Sequence, residues 1–151
     1  MADESSMNVA EDEIICSKLA DKEYWIEHYE RELRNFEEFG DEGEIWFGRV
    51  AENRLVNYVS GSEELSKSSK LIDFGCGNGS LLRTLVCVAL SQLQLHLGYV
   101  RQKGYSHLYG VDYSEEAISL AKKLAEKECT ENSVPRIDFR VILNDYTMDK
   151  D

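Results

Sequence analysis

Proline is nearly missing. Pro135 is the single one in 151 residues, which excludes proline-rich linkers. Cysteine is sparse and scattered: Cys16, Cys76, Cys87 and Cys129 form no C-x-x-C pair and have no pair of histidines beside them. That spacing argues against a zinc site, so no metal is expected, and it fits a reducing compartment. Long hydrophobic runs are missing too. The longest apolar stretch, Leu85–Val100, is too short to span a bilayer and carries Gln92, Gln94 and His96. The opening MADESSMNVAEDE has neither the basic start nor the apolar centre of a signal peptide. The expectation is a soluble, cytoplasmic chain with no membrane partner. Positive charge is the last shortage. Seventeen Lys and Arg face 29 Asp and Glu, a net of −12 and a pI near 4.7. Such a field repels a phosphate backbone, so no nucleic-acid partner is expected.

What is present suffices for a folded domain. Hydrophobic residues make up 42% and charged residues 30%, in a length that suits one domain or slightly less. The acidity is uneven. Residues 1–69 hold 7 basic and 18 acidic side chains, whereas residues 70–151 hold 10 and 11. The N-terminal excess reads either as a solvated lead-in or as a docking surface for a basic protein, with Glu37, Glu38, Asp41 and Glu42 as its carriers.

Three regions follow from the pattern. Residues 1–21 read as a flexible acidic N-terminus, 22–69 as a helical segment and 70–151 as an α/β unit. Within KEYWIEHYERELRNFEEF (22–39), Trp25, Tyr29, Leu33 and Phe36 fall on one helical stripe, and Gly40 ends it. A turn-rich loop, DEGEIWFG, leads to a second helix over 50–59. From Lys70 the period changes. KLIDFG predicts a strand running into a glycine loop, SLLRTL a helix, and HLYGVD (107–112) a second strand. Ser114 is placed to cap the next helix, with Glu115 and Glu116 suiting its dipole. RIDFRVIL (136–143) alternates as a third strand. Strand, helix, strand, helix, strand is the first half of an open parallel sheet.

The informative segment is Asp73-Phe74-Gly75-Cys76-Gly77-Asn78-Gly79. Glycines straight after a strand let a ligand lie against bare backbone. The dinucleotide fingerprint needs a further glycine where Ser80 stands, and no Lys-Ser/Thr follows for a nucleoside triphosphate. A nicotinamide oxidoreductase is therefore disfavoured. The loop suits a ligand without pyrophosphate, such as S-adenosyl-L-methionine, whose ammonium and sulfonium Asp73 can meet. Asp112 ends the second strand, where an acid accepts ribose hydroxyls. Asn144 and Asp145 follow the third strand, within reach of an adenine amino group. Cys76 has no base beside it in sequence, which argues against a thiol enzyme.

These motifs resemble the seven-strand S-adenosylmethionine-dependent methyltransferases. The block YWIEHYERELRNFEEFGDEGEIWFG (24–48) resembles more narrowly the segment before the glycine loop in elongation factor 1-alpha lysine methyltransferases of the methyltransferase-like protein ten type. The resemblance runs from Tyr24 to Thr147 with one interruption. It implies a Rossmann-like sheet, of which three parallel strands are present, behind N-terminal helices. It implies that Gly75, Gly77 and Gly79 hold the methionine end of the cofactor, Asp112 the ribose and Asp145 the adenine, while Trp46 closes the pocket. It implies protein-lysine methylation of elongation factor 1-alpha. A monomer is expected. No catalytic residue is identified.

The chain departs from the family twice. Asp73 and Asp112 stand 39 positions apart, more than the family places between them, and removing Val86–Val100 restores its spacing. Those residues contain no Lys, Arg, Asp or Glu, and read as a retained short intron or as a helix extension. The family domain also continues past the third strand, with the fourth strand and its catalytic loop. The alternative expectation is therefore a catalytically inactive, truncated cofactor-binding or regulatory fragment.

Overall fold

The computed structural model describes residues 18–91, 105–128 and 137–142. The acidic N-terminus expected over 1–21 lies almost wholly outside them, as do residues 92–100 of the uncharged stretch, Asn144 and Asp145.

Helix α1 spans Lys22–Phe39. Asp21 caps its start by accepting from the Glu23 N–H at 3.2 Å. Gly40 stops it in the left-handed region at φ 74°, donating its N–H to the Phe36 carbonyl. The expected stripe is half-buried, and His28 between its members is the most deeply buried residue of the helix. Helix α2, Gly48–Gly61, is two residues longer at each end than the expected 50–59. It begins behind Phe47, a non-glycine residue at φ 65°.

Strands β1 (Lys70–Phe74), β2 (His107–Asp112) and β3 (Asp138–Val141) form one parallel sheet in the order β1-β2-β3. Leu71 pairs with Leu108, and Gly110 with Phe139, so these side chains share one face. Helices α3 (Ser80–Ser91) and α4 (Glu115–Glu128) cover that face. Ser114 caps α4 as expected, its hydroxyl accepting from the Ala117 N–H at 3.0 Å. The core joins Leu82, Leu85 and Val86 of α3 with Leu108, Ile118, Ala121 and Phe139. Val56 of α2 belongs to the same cluster. Helix α3 continues past Leu85, with Val86 buried, as far as Ser91. On the other face of the sheet, Ile72 and Phe74 are exposed.

Polar contacts tie the helices to the sheet. The buried Tyr105 hydroxyl donates to the Val59 carbonyl at 2.7 Å, joining α2 to the entry of β2. Arg83 is buried and paired with Glu128 of α4, and lies 3.9 Å from Glu42. Part of the acidic surface is engaged within the chain. Glu37 pairs with Lys123, Glu42 with Lys127 at 3.5 Å, and Asp41 accepts from the Gly43 N–H. Three of the four acids expected to serve docking thus hold α1 and the loop after it in place.

Candidate functional site

The site begins where β1 ends. The chain turns at Gly75, and the Gly75 and Cys76 N–H groups both donate to the Val111 carbonyl, at 2.8 and 3.1 Å. The next N–H, of Gly77, donates to Asp112 Oδ2 at 3.0 Å, while Asp112 Oδ1 accepts from the Ser114 N–H at 3.0 Å. One buried carboxylate therefore fixes the loop to the end of β2 and shapes the turn into α4. Gly77, at φ 52°, has no room for a side chain, because the Tyr29 hydroxyl of α1 occupies the place a Cβ would take. The N-terminal helix thus packs directly on the glycine loop.

Between this loop and residues 44–55 lies a cavity of about 340 Å³, within the usual size of small-molecule sites, ~300–1,000 Å³. Its floor is Asp73, Gly75, Cys76 and Gly77, and its roof Ile45, Trp46 and Phe47. Trp46 is 39% exposed and meets Trp25 of α1 edge-to-face, ring centres 4.7 Å apart. Among the described residues, three carboxylates, Glu44, Glu52 and Asp73, line the cavity, and no Lys, Arg or His does. Such a wall favours a cation and repels phosphate.

Burial pushes the Asp73 carboxyl up to about 6, with the charge of Asp112 adding to it. Burial likewise raises the Cys76 thiol, helped by Asp112 and Asp73. A thiol held protonated at neutral pH is a poor nucleophile, which argues against the thiol-enzyme reading. Tyr29 is raised by burial first and by Asp112 next, so its phenol stays protonated.

The Asp73 shift has a definite sign. The folded chain keeps a proton that the unfolded chain releases near 3.8, so stability falls as pH rises from there to about 6. Asp73→Asn is expected to stabilise the ligand-free chain at pH 8, on the order of 1–2 kcal/mol given the partial exposure, with no gain below pH 4. Thermal melts across that range check it. A cationic ligand favours the ionised carboxyl, so its affinity should fall below pH 6 in the wild type and stay flat in Asp73→Asn.

The structure brings Trp46, Asp73, Gly75 and Gly77 around one cavity. Gly79 stands behind it against Phe139, and Asp112 beneath the loop. Asp145 lies outside the described residues. Sequence reasoning missed Tyr29, Glu44, Glu52 and Asn78. Asn78, set between two glycines, carried the one signal that could have been noticed. No group of three or more His, Cys, Asp or Glu among the described residues is placed to hold a metal ion.

A parallel sheet with a glycine loop at the carboxyl end of its first strand, roofed by N-terminal helices, defines a class. Residues 65–141, which take in all three strands and the loop, match the methyltransferase domain model, and the chain belongs to that family. Its members generally use S-adenosylmethionine.

Among individual proteins, the chain is 37% identical over 123 residues to the EEF1A lysine methyltransferase 2 of Mus musculus. That match covers 82% of this chain and 44% of the relative. It is 44% identical over 116 residues to the protein-lysine N-methyltransferase efm4 of Schizosaccharomyces pombe, covering 72% and 45%. It is 32% identical over 127 residues to the protein-lysine N-methyltransferase EFM4 of Saccharomyces cerevisiae, covering 81% and 49%. The chain thus spans less than half the length of these relatives. No solved structure matches it significantly. No helix among the described residues is long and apolar enough to cross a membrane.

Proposed function

We propose that this chain carries the S-adenosyl-L-methionine site of a protein-lysine N-methyltransferase whose substrate is translation elongation factor 1-alpha, acting in the cytoplasm. The observation that carries the cofactor reading is the cavity on the glycine loop, with three carboxylates and, among the described residues, no basic side chain. A dinucleotide or nucleoside triphosphate would place phosphates against that wall. S-adenosylmethionine places a sulfonium and an ammonium there. The substrate reading rests on the named relatives and on the N-terminal block that forms the cavity roof.

When bound, the cofactor supplies a methyl group already activated by the sulfonium. The chain's own residues bind, orient and exclude water. Asp73 offers its carboxylate to the ammonium. Gly75 and Gly77 leave room for the methionine end to approach the backbone. Asp112 holds the loop through both oxygens, and their remaining lone pairs serve the ribose hydroxyls. Asp145 serves the adenine. Trp46 and Phe47 cover the cavity and keep water from the reacting methyl group. Glu44 draws the lysine ammonium toward the cavity, and the amine attacks the methyl group only after its proton has passed to water outside the closed site.

Calorimetric titration with S-adenosylmethionine, and with a nicotinamide dinucleotide as control, tests the site. Incubation with methyl-labelled cofactor and elongation factor 1-alpha tests the reaction. Binding of the first ligand alone, followed by label on a lysine, is the expected result. Binding without transfer restricts this chain to the cofactor-binding role. Preference for the dinucleotide would overturn the proposal.

A further inference from the structure

The roof of the cavity is fastened from two sides. Asn78, inside the glycine loop and 6% exposed, donates from Nδ2 to the carbonyls of Glu42 at 3.1 Å and Glu44 at 3.3 Å. Its Oδ1 accepts from the Ser80 N–H at 3.2 Å, at the start of α3. From the other side, Glu32 Oε2 of α1 accepts from the Glu44 N–H at 2.9 Å. Trp46 follows two residues later. The amide orientation of Asn78 is determined by its partners. Two carbonyls face one end and an N–H the other, so a flipped amide would make all three contacts repulsive. Asn supplies two donors and an acceptor at this short reach, whereas Asp has no donor and Ser only one.

We propose that Asn78 and Glu32 are positioning residues that clamp the Trp46 segment to the glycine loop, so that ligand binding on the loop and the seating of Trp46 over the cavity are coupled. The proposal rests on the reading of this cavity as the cofactor site. A ligand that orders the glycine loop orders Asn78, and through it the carbonyls on either side of Gly43. The reverse also holds: a seated roof presents a preformed loop and lowers the ordering cost of binding.

The experiment uses the full chain in a Trp25→Phe background, which leaves Trp46 as the only indole. Two quantities are read: acrylamide quenching of Trp46 without ligand, and the S-adenosylmethionine dissociation constant. Asn78→Asp keeps the acceptor for Ser80 but loses both donors. It is expected to raise quenching and to weaken the cofactor by about ten-fold, the worth of a buried hydrogen-bond pair. Glu32→Ala should do the same in smaller measure, and Glu32→Gln, which keeps an acceptor, should restore both readouts. The double variant Asn78→Asp/Glu32→Ala should be no worse than the sum of the singles, since both release one segment.

Unchanged quenching in Asn78→Asp and Glu32→Ala overturns the clamp, whatever happens to affinity. If Asn78→Asp does not fold, the Glu32→Ala and Glu32→Gln pair on α1 decides alone. Failure of the cofactor reading shows separately, as absence of binding in the parent chain, because the quenching test needs no ligand.

Discussion

Asp112→Ala is expected to destabilise the chain by about 3–5 kcal/mol and to abolish cofactor binding, because two backbone donors lose a charged acceptor. Asp112 is buried, and its oxygens accept separately from Gly77 and Ser114, on opposite sides of the β2 terminus. Without it, the N–H groups of the glycine loop and of the α4 start face each other with no acceptor between them. Asp112→Asn separates geometry from charge. Its one carbonyl can serve one N–H while its NH₂ confronts the other, so an intermediate loss is expected. The Asn variant has a second signature. Burial and the charge of Asp112 together raise Asp73, so removing that charge should move the Asp73 titration down from about 6. Urea unfolding gives the stability change, and the pH dependence of melting gives the titration. A near-neutral Asp112→Ala would show that the carboxylate does not hold the loop.

Gly79→Ala carries the other large effect, by overpacking. A Cβ there would lie 2.7 and 2.9 Å from the Phe139 ring and 3.2 Å from the Ala121 Cβ, at φ +73°. Phe139 is buried against Gly79 and against Gly110 of β2, so the ring cannot retreat without opening the core. A loss of about 3 kcal/mol is expected, from core strain and a left-handed conformation unfavourable to alanine. Gly75→Ala is the control. It has the same φ but nothing within 4 Å of the added Cβ, so only the conformational cost of about 1 kcal/mol should remain. Equal losses at the two positions would sink the packing argument. Gly79→Ala/Phe139→Leu, which shortens the opposing ring, should recover part of the difference.

Much of the frame was legible because its causes are local. Helix α1 follows from the spacing of Trp25, Tyr29, Leu33 and Phe36 and from a glycine that takes a left-handed stop. The start of α4 follows from Ser114, and β2 from an apolar run ended by Asp112. The boundaries of α2 and β3 were less legible. Phe47 opens α2 from a left-handed conformation that no propensity announces. Strand β3 takes only the middle of the alternating run over 136–143.

The contacts that make the site were not legible, because each joins residues far apart in the chain. Asn78 reaches back 34 and 36 positions, and Asp112 reaches Gly77 across 35. Glu37 and Glu42 look like a free acidic surface until α4 brings Lys123 and Lys127 beside them. Periodicity, capping and turn chemistry act over a few residues, so the sequence alone determined the elements, the glycine loop and the acids at its rim. Which carboxylate faces the cavity and which is spent on the backbone was decided by tertiary packing. A side chain's charge and hydrogen bonds take their meaning from the groups that folding sets against it, and those groups lie on other elements.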